Sequence, residues 1–225
     1  MDTEVLRKAP LFSFLDEEAA IALAASMTAQ RLRRGETLFH EGDAGDKLYL
    51  VTEGKVKLGR TSTDGRENLL AVLGPGQMFG ELSLFDPGPR SATVTAVTDG
   101  ELLSLSHEDL QRWLEGRPGV ARGLLVQLAS RLRRANDVVA DLVFSDVPGR
   151  VAKALIDLAN RFGRTADDGV HVHHDLTQEE LAQLVGASRE TVNKALADFA
   201  SRGWIRLEPR SVVIMDMDRL QRRAR

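Results

Sequence analysis

Cysteine is absent from all 225 residues. That absence removes disulfides, thiolate zinc sites, cysteine-anchored iron–sulfur clusters and a cysteine nucleophile, and with them a redox or iron–sulfur sensor. Long apolar runs are missing as well. No stretch approaches the ~18 uninterrupted apolar residues that a membrane span requires, and the N-terminal MDTEVLRKAP lacks the basic-then-apolar order of a secretory signal. A cytoplasmic chain without a membrane partner is therefore expected. There is no nucleophile elbow and no Walker loop, and the glycines around Gly80 are too few and wrongly spaced for a dinucleotide fingerprint. No enzyme is expected.

An excess of positive charge is missing too, since the formal net charge is −3. The balance shifts along the chain, however. Residues 1–146 carry 17 Lys and Arg against 22 Asp and Glu, a net of −5, whereas residues 147–225 carry 13 against 11, a net of +2. What is present is 43% hydrophobic residues, enough to bury a core in one large domain or two small ones.

Residues 1–30 read as helical, with Leu11, Leu15, Ile21 and Leu23 at roughly helical spacing and Asp16 placed to cap DEEAAIALAASM. From Gly35 to His107 short β-rich runs, such as Lys47 to Val51, Lys55 to Leu58, Leu69 to Leu73 and Ala92 to Val97, are punctuated by glycines. Asp64-Gly65 marks one hairpin. This texture predicts an antiparallel barrel or roll. A long helix follows from near Pro118 to about Val143, with Leu125, Leu128, Leu132, Ala135, Val139 and Leu142 in the 3, 4 alternation of a coiled coil. The stripe offers a dimer seam, and the alternative is packing on its own domain. Phe144 to Gly149 is a cluster of turn residues read as a hinge, with Asp146 capping the next helix.

The second half carries a DNA-reading pattern. Thr177-Gln-Glu-Glu180 is a capping box that opens a helix with Leu181, Leu184 and Val185 on one side and a stop at Gly186. Ser188 caps a second helix with the apolar face Val192, Ala195, Leu196 and Phe199. Two short helices joined by a glycine turn form a helix-turn-helix, or else a plain αα corner. Arg189, Glu190 and Lys194 point away from the apolar face, where Arg and Lys suit guanine and Glu suits cytosine, so a G/C-containing half-site is expected. Thr177, Ser188 and Thr191 can donate to phosphates at helix starts. Arg202, Arg206 and Arg210 follow in a segment whose two short runs, Trp204 to Leu207 and Ser211 to Ile214, resemble a wing.

Phe79-Gly-Glu-Leu-Ser-Leu-Phe85 with Pro89-Arg-Ser-Ala92, together with Gly186-Ala-Ser-Arg-Glu-Thr-Val-Asn-Lys194, make the chain resemble the cyclic-AMP receptor protein (CRP/FNR) family of bacterial transcription regulators nearly end to end. The first piece resembles the family's phosphate-binding cassette. The resemblance implies ligand contacts from Gly80, Glu81, Leu82, Ser83, Arg90, Ser91 and Ala92. Residue chemistry agrees: Gly80 allows close backbone approach, Arg90 supplies a fixed cation for a cyclic phosphate, and Glu81 can accept from a ribose hydroxyl. For Glu81 and Arg90 the plain alternative is a salt bridge that holds the roll together.

The family's purine contacts fall on Ala135 and Asn136 of the long helix. Asn136 can hydrogen-bond a base, whereas Ala135 offers no donor where many relatives place a hydroxyl. Cyclic AMP is the first choice of effector, ahead of cyclic GMP, a cyclic dinucleotide or no ligand. The fold implied is α+β: a cyclic-nucleotide-binding β-roll over 1–116, a dimerisation helix and hinge over 117–145, and a winged helix-turn-helix over 146–225.

The expected function is that of a homodimer reading palindromic TGTGA-like half-sites in double-stranded DNA, with RNA polymerase as a partner and a place on the nucleoid when bound. Ligand held between Arg90 and the seam around Asn136 would favour one arrangement of the paired helices, and the hinge would pass that choice to recognition helices spaced roughly 34 Å apart. A nucleotide-responsive interaction module without DNA binding is the reading from another class. No metal is expected, although alternation puts His171 and His173 on one strand face, where a surface metal site is the alternative to a polar strand.

Overall fold

A computed structural model describes residues 6, 9, 12, 15–82, 88–115 and 118–224. Leu11, Ser83 and Phe85 lie outside the described residues. The protein is α+β, and its chain divides into two compact units, Met1–Arg60 with Leu70–Arg134 and Thr61–Leu69 with Ala135–Arg225.

In the first unit, helix α1 (Glu17–Ser26) begins where the Asp16 carboxylate accepts from the Ala19 N–H at 2.8 Å. Ala20, Leu23 and Ala24 are buried, but Ile21 is exposed. Among the described residues eight strands follow: β1 (Thr28–Leu32), β2 (Thr37–Phe39), β3 (Lys47–Glu53), β4 (Val56–Thr61), β5 (Glu67–Leu73), β6 (Met78–Phe79), β7 (Thr93–Ala96) and β8 (Gly100–Ser106). They form two four-stranded sheets, ordered β1-β8-β3-β6 and β2-β7-β4-β5.

The helix expected through residue 30 stops short of it. Met27 ends α1, and Thr28 to Leu32 pair antiparallel with Ser104 to Gly100. A pairing partner some seventy positions downstream, which local spacing does not reveal, supplies the ladder that a helix would otherwise provide. Asp64-Gly65 does form the β4–β5 hairpin turn, closed by bonds between Ser62 and Arg66.

Strand β3 explains why the unit has two cores. Leu48 and Leu50 face a cluster with Leu23, Leu103, Leu105, Leu110 and Trp113, whereas Tyr49 and Val51 face a second cluster with Phe79, Val94 and Leu102. Alternating side chains point to opposite faces of a strand, so a run apolar at every position is buried on both. Each such Leu or Val contributes about 1.5–3 kcal/mol by leaving water. Helix α2 (His107–Leu114), capped by Ser106, closes the first cluster with Leu110 and Trp113.

Helix α3 (Pro118–Phe144) runs 27 residues. Leu125, Leu132, Val139 and Leu142 of its 3, 4 stripe are exposed, and Phe144 is 86% exposed. Ala135 is exposed as well, whereas Leu128 of the same stripe is half-buried.

The second unit contains α4 (Val147–Phe162), β9 (Gly163–Ala166), β10 (Gly169–Val172), α5 (Gln178–Val185), α6 (Arg189–Ser201), β11 (Ile205–Glu208), β12 (Ser211–Ile214) and α7 (Met217–Arg223). Its sheet order is β11-β12-β10-β9. Val151, Ala152, Leu155, Leu158 and Ala159 of α4 recur at helical spacing and are buried, as are all four residues of β12. Asp146 caps α4: its Oδ1 accepts from the Gly149 N–H at 2.9 Å, and its Oδ2 accepts from Arg223 at 2.6 Å. One turn on, Arg150 donates to three carbonyls, those of Ser145 (2.9 Å), Val185 (3.1 Å) and Gly186 (3.3 Å), and Lys153 pairs with Asp141.

The Arg223 hydrogen bond, then the Gly149 N–H, hold the Asp146 carboxyl below the usual carboxylate range. A lowered folded value means the contribution is complete above the ordinary carboxylate pKa and is lost as pH falls through the lowered one. Asp146→Ala is expected to cost about 1 kcal/mol at neutral pH, with Asp146→Asn losing less because the cap survives. Thermal melts at pH 7 and pH 3 check this, the difference between wild type and Asp146→Ala shrinking at the lower pH.

Candidate functional site

Arg90 is fixed first by its backbone. Its N–H donates to the Asp43 carbonyl at 2.8 Å, and its own carbonyl accepts from the Gly42 N–H at 2.9 Å. The turn that offers these groups is shaped by the Asp43 carboxylate, which accepts from the His40 N–H at 2.8 Å. The side chain then runs inward until only 4% of the residue is exposed. Nη1 donates to the carbonyls of Lys47 (2.9 Å) and Gly80 (3.2 Å). The guanidinium carbon lies 4.3 Å from the centre of the Phe39 ring and 5.6 Å from that of Tyr49. Burial pushes the Tyr49 phenol above its usual pKa, and the Arg90 charge pulls the other way.

Gly80 serves this arrangement directly. It follows β6 with a φ of +81°, and a Cβ there would stand 2.8 Å from Arg90 Nη1 and 2.9 Å from the Lys47 carbonyl oxygen. Only glycine takes that conformation without penalty and leaves room for the guanidinium.

The other edge of the guanidinium is left over. Nε is buried and meets no acceptor among the described residues, and no hydrogen bond from Nη2 exists among them either. Arg90 therefore does not close a plain salt bridge with Glu81, since its bonds go to main-chain carbonyls. Glu81 is buried at 5% exposure and Ala92 is also buried, whereas Leu82 and Ser91 are exposed. Ser83 lies outside the described residues. Asn136 and Ala135 are exposed on α3.

In the second unit the capping box of Thr177 and Glu180 is present in both directions, at 3.1 and 2.7 Å. Gly186 ends α5 in the left-handed region at φ +70°. Ser188 caps α6, its Oγ accepting from the Thr191 N–H at 3.2 Å and lying 2.8 Å from Thr191 Oγ1. Arg189, Glu190 and Lys194 are all exposed, while Val192, Ala195, Leu196 and Phe199 are buried. Glu190 and Lys194 pair with each other at 2.7 Å, so base contacts by either exchange a surface ion pair worth little in water. Arg189 has no ion-pair partner among the described residues.

Two features were missed by reading the sequence. Arg206 is bound by Asp168 (2.8 Å) and Glu208 (3.3 Å), and Asp168 also meets His171 at 2.6 Å. The Arg206 bond and then the His171 bond bring the Asp168 carboxyl down to about 2. His173 lies beyond the end of β10, so the two histidines do not share a strand, and among the described residues no three metal-binding side chains cluster. Arg202 bonds Asp198 and lies 5.5 Å over Trp204.

The family model for a cyclic nucleotide-binding domain matches residues 29–117, and that for a Crp-like helix-turn-helix domain matches residues 149–223. A CRP-like cAMP-activated global transcriptional regulator of Mycobacterium tuberculosis is 55% identical over 222 residues, covering 99% of each chain. The chain belongs to the CRP-like transcription regulators. The Cyclic AMP receptor protein of Thermus thermophilus is 42% identical over 94% of each chain. A solved structure of the c-di-GMP responsive global regulator CLP from Xanthomonas campestris has a TM-score of 0.75 at 28% identity, covering 88% of this chain and 99% of that one.

This CRP-like regulator thus combines a cyclic nucleotide-binding domain with a helix-turn-helix DNA-binding domain. Its family is one of regulatory proteins, not enzymes. No helix among the described residues is long and apolar enough to cross a membrane. Because a methyl group at residue 80 would displace Arg90 and strain the backbone by about 1–3 kcal/mol, Gly80→Ala is expected to weaken cyclic-nucleotide affinity by about tenfold or more. Calorimetry on the full chain measures this, and an affinity equal to wild type would contradict the role given to the close approach.

Proposed function

We propose that the chain is a homodimeric, sequence-specific regulator whose DNA affinity is set by a cyclic nucleotide, cyclic AMP first. The observation that carries this is the buried Arg90 with its Nε–Nη2 edge turned to no acceptor among the described residues. A desolvated cation missing an acceptor is costly, and a phosphate answers it with two oxygens on the fork of nitrogens. Gly80, Glu81, Leu82, Ser83, Ser91 and Ala92 complete the proposed cradle, with Asn136 the group offered to the base.

The names of the mycobacterial and Thermus relatives support cyclic AMP. A cyclic dinucleotide is the second reading, favoured by the name of CLP; Ala135, which has no donor to give a purine, leaves the identity of the nucleotide open.

The proposed division is 1–116 for the ligand domain, 117–145 for dimerisation helix and hinge, and 146–225 for DNA binding. The exposed stripe of α3 supports its use as the dimer seam. Arg189, Glu190 and Lys194 would read each TGTGA-like half-site, and Thr177, Ser188 and Thr191 would hold phosphates. RNA polymerase as partner, a cytoplasmic location and nucleoid association when bound follow from that role.

Gel shifts on a GTG-containing palindrome test the proposal. Cyclic AMP is expected to tighten binding by at least about tenfold, a coupling of roughly 1.4 kcal/mol, and rising salt to weaken it. Arg90→Ala should lose the nucleotide response while keeping the basal affinity. An unchanged response in Arg90→Ala sinks the ligand site, a response to cyclic di-GMP alone selects the second reading, and no salt-dependent shift at all leaves only an interaction module.

A further inference from the structure

Phe39 ends β2, in a strand whose pairing with β7 shifts register between Thr37 and Phe39. Its ring is tilted 39° from Tyr49 at 5.8 Å and lies 6.1 Å from Phe79, while Tyr49 and Phe79 stack at 5.3 Å. These rings belong to the second core cluster of the first unit, where Phe39 is only half-buried. The guanidinium carbon of Arg90 lies over its face at 4.3 Å from the ring centre, nearer than it lies to the ring centre of Tyr49, at 5.6 Å.

The hydrogen bonds hold one end of the group. Both carbonyls engage Nη1, whereas Nε on the opposite edge meets no acceptor among the described residues, so packing against the ring face is what supports that edge. A ring face attracts a cation through its quadrupole and favours a parallel plate, and the attraction is strongest where water is excluded. We propose that Phe39 is a positioning residue for the effector site, its ring setting the plane of Arg90 so that the Nε–Nη2 edge faces the phosphate. The proposal rests on the reading of Arg90 as the phosphate ligand. It assigns to Phe39 a role in affinity beyond filling the roll.

Cyclic AMP affinity of the full-length protein, measured by calorimetry with competition for weak variants, tests it in wild type, Phe39→Leu, Phe39→Tyr, Arg90→Gln and the Phe39→Leu/Arg90→Gln double variant. Phe39→Leu should weaken binding about three- to tenfold, and Phe39→Tyr, which keeps the ring, should stay within about twofold. In the Arg90→Gln background the leucine should add almost nothing, because the ring acts through the cation.

Equal losses in both backgrounds, no loss in Phe39→Leu, or a loss in Phe39→Tyr as large as in Phe39→Leu would each overturn the role of Phe39 while leaving Arg90 as the ligand. Wild-type affinity in Arg90→Gln would instead overturn the Arg90 reading, and the Phe39 proposal with it. A second measurement needs no variant: the Nε–H resonance of Arg90 should lie upfield in nucleotide-free wild type through the ring current of Phe39. An unshifted resonance counts against the stacking.

Discussion

A guanidinium taken out of water must recover several kcal/mol of lost hydration, and the first unit is arranged around that demand at Arg90. Two carbonyls, from Lys47 and Gly80, meet one nitrogen. Two aromatic faces cover the plane. The turn at Gly42 and Asp43 holds the backbone on both sides. The ends of β2, β3 and β6 are thereby drawn to a single cation, and the glycine at residue 80 is the steric condition for it.

Arg150 in the second unit offers an internal comparison. It too reaches main-chain carbonyls, but Nε, Nη1 and Nη2 each have one, at 3.1, 2.9 and 3.3 Å. A guanidinium with an acceptor at every nitrogen ties chain segments together, here Ser145 at the end of the long helix with Val185 and Gly186 at the turn of the helix-turn-helix. A half-engaged and buried one, like Arg90, keeps an edge for something else. The same side chain thus serves structure in one unit and, in the proposed function, recognition in the other. The difference lies in how many of its donors the protein already satisfies.

The recognition helix follows a different logic. Its reading face carries no buried charge, and Glu190 and Lys194 satisfy each other at the surface. Such a pair costs little to separate, so it keeps the face ordered without competing seriously with DNA. Wing cations named from the sequence are less available: Arg206 is held by Asp168 and Glu208, and Arg202 by Asp198.

Local chemistry carried most of what was legible in the residues alone. Asp16, Asp146, Thr177 and Ser188 cap the helices they were expected to cap, because a cap needs only a side-chain oxygen and the next three residues. The two faces of α6 and the hairpin at Asp64-Gly65 were equally local. Helical spacing alone carries residues 28–30 into the first helix, whereas their strand partner sits far along the chain.

The motif placed Gly80 and Arg90 in one cassette, but the contacts of Arg90 with Phe39, Lys47 and Tyr49 were not legible, since these residues meet it only once the sheets have folded. Asp168 is likewise 38 residues from Arg206. Near-neighbour chemistry was enough to place the helix starts at Asp16, Asp146, Thr177 and Ser188 and the apolar faces of the recognition element, and the motifs around Gly80 and Ser188 carried the family resemblance. Which charges are buried, and which of their hydrogen bonds are left unmade, emerges once the chain has folded, because burial and partnership are properties of distant segments brought together.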